Sequence, residues 1–160
     1  MKRVIATAVL VVSLLTACRG ADSGAPGSAP SASPTFRHGT AIIETDAGAV
    51  MVQIEVADSP ELQQRGLMGR DSLEDDAGMV FLFFADTTSG FWMKDTLIPL
   101  SIAFFDRSGV ILKILDMEPC ETNMCSSYNP GVSYRGALEV NQGAFDEWEV
   151  DVGDRIRVSP

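Results

Sequence analysis

One histidine, His38, stands in the whole chain of 160 residues, and cysteine occurs three times, at Cys18, Cys120 and Cys125. A single imidazole excludes most His-based metal sites, and any Ser-His-Asp triad not built on His38 itself. Cations are scarce: 12 Lys and Arg face 22 Asp and Glu, for a formal net charge of −10. Phosphate contacts need clustered Lys and Arg, so this balance argues against a nucleic-acid surface. G-x-S-x-G, a phosphate loop, a dinucleotide fingerprint and H-E-x-x-H are all missing. What is there is a globular composition, 46% apolar and 21% charged, of a length that suits one ordinary domain plus appendages.

The first appendage is an N-terminal address. Lys2 and Arg3 precede Val4–Ala17, a run without any charge. It is shorter than the ~20 residues that a spanning helix needs, and its length and flanks are those of a secretory signal peptide. The run ends in Leu15-Thr16-Ala17-Cys18, which resembles the lipobox of bacterial lipoproteins. That resemblance implies cleavage before Cys18, a thioether lipid on its sulfur and acylation of the new N-terminus. The plainer alternatives are an ordinary signal peptide with a stray cysteine, or a short buried helix. Each buried CH₂ of an acyl chain contributes ~0.8 kcal/mol, so two or three chains moor a protein where one would not. Loss of Lys2 and Arg3 takes the formal charge from −10 to −12. An anionic domain is repelled by anionic lipid, so it is expected to stand off the bilayer of an extracytoplasmic membrane face.

Residues 18–38 read as the lipidated cysteine and a tether. Ala, Gly, Ser and Pro fill 14 of positions 19–38, a composition that cannot offset its own ordering entropy. As a flexible coil it reaches about 25 Å. His38, at its end, reads as a solvated linker residue. The folded domain is then expected over residues 39–160.

Within it, Thr40–Thr45 and Ala49–Val56 flank the turn signal Asp46-Ala47-Gly48, a hairpin in which Val50, Val52, Ile54 and Val56 share one face. Asp58 or Ser59 followed by Pro60 marks a helix start, and Gly66 or Gly69 the stop. Met79–Phe84 is a continuous apolar run suited to a strand buried on both faces. Phe91–Lys94, Leu100–Phe105, Val110–Asp116, Ala137–Val140 and Asp154–Val158 supply further strands, with Asp106–Gly109 as a hairpin turn. Gly143–Trp148 suits one helical turn. Eight short strands predict a mainly β fold: a compact antiparallel β-sandwich or partly closed barrel with one or two short helices.

Several segments, taken together and in this order, resemble the DUF192 family. They are Arg65-Gly66-Leu67-Met68-Gly69-Arg70, Gly78-Met79-Val80-Phe81, Phe91-Trp92-Met93-Lys94-Asp95-Thr96, Ile98-Pro99-Leu100, Ala137-Leu138-Glu139-Val140 and Val152-Gly153-Asp154. The resemblance spans about residues 40–158 and implies a compact, mainly β fold without an assigned reaction. It also implies Asn where this chain has Asp95, and Asp where it has Ser101.

Cys120 and Cys125 remain as an even pair once Cys18 is assigned to lipid, and a structural disulfide is the expectation in an oxidising compartment. Two thiolates with Met117 and Met124 are also the soft donors that suit Cu(I) or a redox role. Phe91 and Met93 are expected to face the core, leaving Trp92 and Lys94 on the other side, where Lys94 can lie against the indole. Alternatively Trp92, Lys94 and Arg70 line a groove for a sugar or small carboxylate. Arg65 and Arg70 suit either that groove or ion pairs with Asp95 or Glu139. Asp71–Asp76 lacks the ligand spacing of a calcium loop and reads as solvated. The candidate ligand-binding set is therefore Arg65, Arg70, Trp92, Lys94, Asp95, Thr96 and Glu139, with no metal site and no cofactor. A non-catalytic envelope domain binding a small molecule, glycan or protein partner is the leading expectation. A hydrolase using Asp95 or Glu139 with Lys94 is the alternative.

Overall fold

The structure, a computed structural model, describes residues 35–122 and 124–159. The expected signal peptide, Cys18 and residues 19–34 of the expected tether lie outside the described residues. No described helix is long and apolar enough to cross a membrane.

The sequence turns inward at once. Strand β1 (Arg37–Thr45) and strand β2 (Gly48–Ala57) form the expected hairpin, with Thr45 opposite Gly48. Arg37 and His38, assigned above to the tether, belong to this first strand. Arg37 is held by Asp58 at 2.5 Å, and His38 sits opposite Glu55. Helix α1 (Pro60–Arg65) starts where Ser59 Oγ accepts the Leu62 N–H at 3.3 Å, with Pro60 in the first turn. It stops at Gly66, whose φ of 46° and ψ of −139° favour glycine.

Strand β3 (Ala77–Thr87) follows, then β4 (Phe91–Trp92), β5 (Leu100–Phe105), β6 (Ile111–Met117), β7 (Ser127–Tyr128) and β8 (Tyr134–Asn141). Helix α2 (Ala144–Glu147) and strand β9 (Arg155–Ser159) close the chain. Seven strands form one sheet in the order β6-β5-β8-β3-β2-β1-β9, and β4 pairs with β7 in a separate ribbon. The ladders are antiparallel with one difference from expectation: β2 and β3 run parallel, Gln53 opposite Ala77 through Ala57 opposite Phe81. Residues 58–76, including α1, carry the crossover that a parallel pair requires. Alternation specifies which face a residue occupies, not which way a strand runs, so the sequence was silent here.

The sheet curls until its two edges meet at one corner. Val110 bridges Arg155, Ile111 N–H donates to the Asp154 carbonyl at 2.8 Å, and Ile156 N–H donates to that of Gly109 at 2.8 Å. Gly109 is required there: its φ is +86°, and a Cβ would stand 2.2 Å from the Ile156 carbonyl oxygen. The ladder does not continue, so the barrel stays open.

Period-two alternation along β3, β5 and β8 splits the core into two layers. Val80, Ala103, Phe105, Leu138 and Val140 pack with Ile43, Val52, Ile54 and Phe145 on one face. Met79, Phe81, Ile102, Phe104 and Ala137 pack on the other, beneath Leu62, Leu67 and Met93. β5 is buried along its whole length, as a strand covered on both faces must be. The end of β3 departs from expectation: Phe84 is 98% exposed, because the ladder with β2 stops at Phe81.

Candidate functional site

Glu139 lies in the middle of β8, opposite Met79 on one side and Ile102 on the other. Opposite residues in antiparallel ladders share a face, so this carboxyl projects into the Met79–Phe104 layer. It is 5% exposed. Burial among apolar groups disfavours the charged form and pushes its pKa up to about 8. Desolvation is the sole cause of that shift; no charge or hydrogen bond from a described residue opposes it.

Access to this acid comes through a narrow cleft of about 30 Å³. One lip is the end of α1 and the turn after it, Gln63 to Met68; the other is Phe91, Trp92 and Thr96; Phe81 and Glu139 form the inner wall. The lips are fixed by local chemistry. Phe91 stands edge-on to Phe81 at 4.9 Å and to Phe104 at 5.6 Å. Phe104 meets Tyr134 at 4.8 Å, while the Tyr134 hydroxyl donates to the Ser89 carbonyl at 2.7 Å. Its burial pushes that phenol to about 12. Gln63 Nε2 donates to the Leu82 carbonyl at 2.8 Å, fastening α1 to the exposed end of β3.

The structure brings four of the seven candidate residues into this cleft: Arg65, Trp92, Thr96 and Glu139. Trp92 is half-exposed, Thr96 is buried, and the Arg65 guanidinium lies 5.6 Å from the centre of the Phe36 ring. As expected, Met93 is buried and Trp92 faces outward. Lys94 and Asp95 form an ion pair with each other at 3.1 Å, and neither lines the cleft. Arg70 points elsewhere. It binds Glu55 at 2.6 Å beside a separate hollow of about 320 Å³ that His38 and Glu55 also line. The groove expected from Arg70, Trp92 and Lys94 is therefore three separate environments.

Cys120 and Cys125 are joined in a disulfide. The cystine leaves no thiolate for a soft metal. Met117 is wholly buried while Met124 is 91% exposed, so the two thioethers do not converge. Among the described residues no group of three or more His, Cys, Asp or Glu is placed to hold a metal. The disulfide has a local consequence instead. The Cys120 carbonyl accepts the Asp95 N–H at 2.9 Å, and its N–H donates to the Thr96 carbonyl at 3.3 Å. The cystine loop thus holds the turn that carries one lip.

Both departures from the family pattern acquire physical reasons. Asp95 has φ of 55°, the left-handed region, where Asn and Asp are the side chains best tolerated. An Asn-to-Asp change preserves that backbone. Ser101 is buried, and its hydroxyl donates to Asp116 Oδ1 at 2.5 Å and accepts the Gly143 N–H at 2.9 Å. Ser101 and Asp116 are direct partners across the β5–β6 ladder, so an acid is present one strand over.

A mainly β domain with a buried acid at the base of an aromatic cleft is the class that fold and site define. The chain belongs to the DUF192 family, whose model, an uncharacterised ACR, matches residues 41–158. Two solved structures are similar throughout the domain. One is a candidate transcription regulator from Sinorhizobium meliloti 1021, 26% identical, with a TM-score of 0.72 over 78% of this chain and 96% of that one. The other is a protein of unknown function from Novosphingobium aromaticivorans DSM 12444. It is 25% identical, with a TM-score of 0.70 over 84% of this chain and 94% of that one. No curated protein matches the chain.

Proposed function

We propose that this chain is a lipid-anchored domain of the cell envelope that binds a small ligand, without transforming it, in the cleft above Glu139. One observation carries the binding reading: Glu139, a residue only 5% exposed, lines a cleft with its carboxyl, and no described residue hydrogen-bonds to it. No buried side-chain oxygen among the described residues is orphaned, so the carboxyl keeps an open edge on the cleft, where a donor on a ligand can reach it. The half-exposed Trp92 at the mouth offers an apolar plate to the rest of the ligand. The envelope reading is supported by the Lys2-Arg3 start, the uncharged run to Ala17 and Cys18, and it accords with the Cys120–Cys125 cystine.

A thermal-shift screen of envelope metabolites and glycans tests the binding reading. Hits whose shift disappears in Glu139→Gln support it; a broad screen without any such hit overturns it. The anchor is tested by fractionation. Cys18→Ala is expected to leave the membrane fraction, and its continued retention there refutes lipidation.

A hydrolase is the second reading, favoured by the same raised acid, since a general acid must hold its proton near neutral pH. Lys94 and Asp95 are spent on each other, so this reading rests on Glu139 alone. Turnover of chromogenic esters or glycosides that Glu139→Gln abolishes would establish it.

A further inference from the structure

We propose that the cleft above Glu139 is a site for a primary ammonium carried on an apolar stem, the ammonium meeting the Glu139 carboxylate and the stem running past Phe91 towards Trp92 at the mouth. The inference rests on the binding reading above and names its ligand class.

Size comes first. The cleft is narrow, about 30 Å³, so it favours a slender chain with a compact head group over a ring. Donors and acceptors come next. The side chains with oxygen along the cleft are Glu139, Thr96, Gln63 and Gln64, of which Glu139 and Thr96 are buried. One carboxylate with three neutral oxygen-bearing side chains is a poor match for Ca²⁺ or Mg²⁺, which take six or more oxygens. They suit an ammonium, which donates three hydrogen bonds from one small centre.

The walls favour the same answer. Phe81 and Phe91 inside, and Trp92 at the mouth, present π-systems that attract a cation and bury a methylene chain. A net charge of −10 draws cations towards the protein. The ionisable groups lining the cleft are Glu139 and Arg65, with the Lys94–Asp95 ion pair beside it.

Proton release distinguishes this ligand from a neutral one. Burial keeps the empty acid largely protonated at pH 7. An arriving ammonium stabilises the carboxylate, and the carboxyl proton leaves to buffer; a neutral acceptor keeps the proton in place.

Isothermal titration of the full chain with n-butylammonium chloride and with n-butanol, at pH 7 in phosphate and in MOPS, tests the proposal. The expected result is binding of n-butylammonium about tenfold or more tighter than n-butanol, a tenfold ratio being 1.4 kcal/mol. Release of close to one proton should accompany it. Glu139→Gln should remove that preference, and Trp92→Leu should weaken the ammonium more than the alcohol. Trp92 is half-exposed, so the second variant stays informative even if the first misfolds. Equal affinities for the two probes, or ammonium binding without proton release, overturns the proposal. If the amine fails while other small molecules give Glu139-dependent thermal shifts, the ligand class is wrong and the binding site stands. If nothing gives such shifts, the binding reading itself falls.

Discussion

The Asp95 carbonyl accepts the backbone N–H of Gly69 at 2.8 Å, tying together the two chain segments that form the lips of the Glu139 cleft. Residue 95 makes this contact from the left-handed region, with its own N–H donated to Cys120. Its importance is therefore conformational, while its carboxylate is occupied by Lys94.

Asp95→Asn should leave stability nearly unchanged, losing only a surface ion pair that is worth about 0–1 kcal/mol. Asp95→Val should cost about 1–2 kcal/mol, because a β-branched residue resists positive φ. Denaturant midpoints of the two variants measure the contrast; equal losses would show that the charge matters more than the backbone.

Glu139 gives stability a pH dependence with a definite sign. Its folded pKa of about 8 exceeds the ordinary value of 4.5, so between these pH values the folded state holds more protons than the unfolded state. Stability contributed through this group falls as pH rises from about 4.5 to about 8, and the full cost of the buried charge applies above that. Glu139→Gln should flatten this part of the curve. Urea midpoints for both proteins at pH 5, 6.5 and 8 check it, and parallel curves would contradict the assignment.

Breaking the cystine should act on the cleft as well as on stability. A loop this short contributes about 2 kcal/mol in the chain-entropy model. The double variant Cys120→Ser/Cys125→Ser should lose about that much, with faster amide hydrogen exchange at Asp95, whose N–H is held by the Cys120 carbonyl. Unchanged exchange there would separate the disulfide from the lip.

Ser101 and Asp116 should behave as a coupled pair, since they face each other in the ladder at 2.5 Å. Ser101→Ala leaves Asp116 and the Gly143 N–H without their partner and should cost about 1–3 kcal/mol. Ser101→Asp sets two carboxylates side by side and should destabilise at neutral pH, with recovery in Ser101→Asp/Asp116→Ser. A double variant no better than the single one would refute the coupling.

Local patterns made much of this protein legible. The Thr45–Gly48 hairpin, the Ser59-Pro60 helix start and the Asp106 turn each depend on contacts within a few residues. The strand β7 escaped notice because Ser127–Tyr128 has no apolar period to show, and it exists only by pairing with Phe91 and Trp92. The cystine was readable as an even pair; its grip on Asp95 and Thr96 was not, since those backbone bonds join distant segments.

The sequence by itself determined the period-two alternation that makes the sheet, the caps and turns that punctuate it, the net charge, and the residue types of the site. The tertiary structure alone decided that β2 and β3 run parallel, that Arg70 turns to Glu55, and that Glu139 lies without a described partner beneath Trp92. Alternation is set by one strand's own chemistry. Burial of a charge and the choice of its partner depend on which other segments arrive, and only the folded chain brings them there.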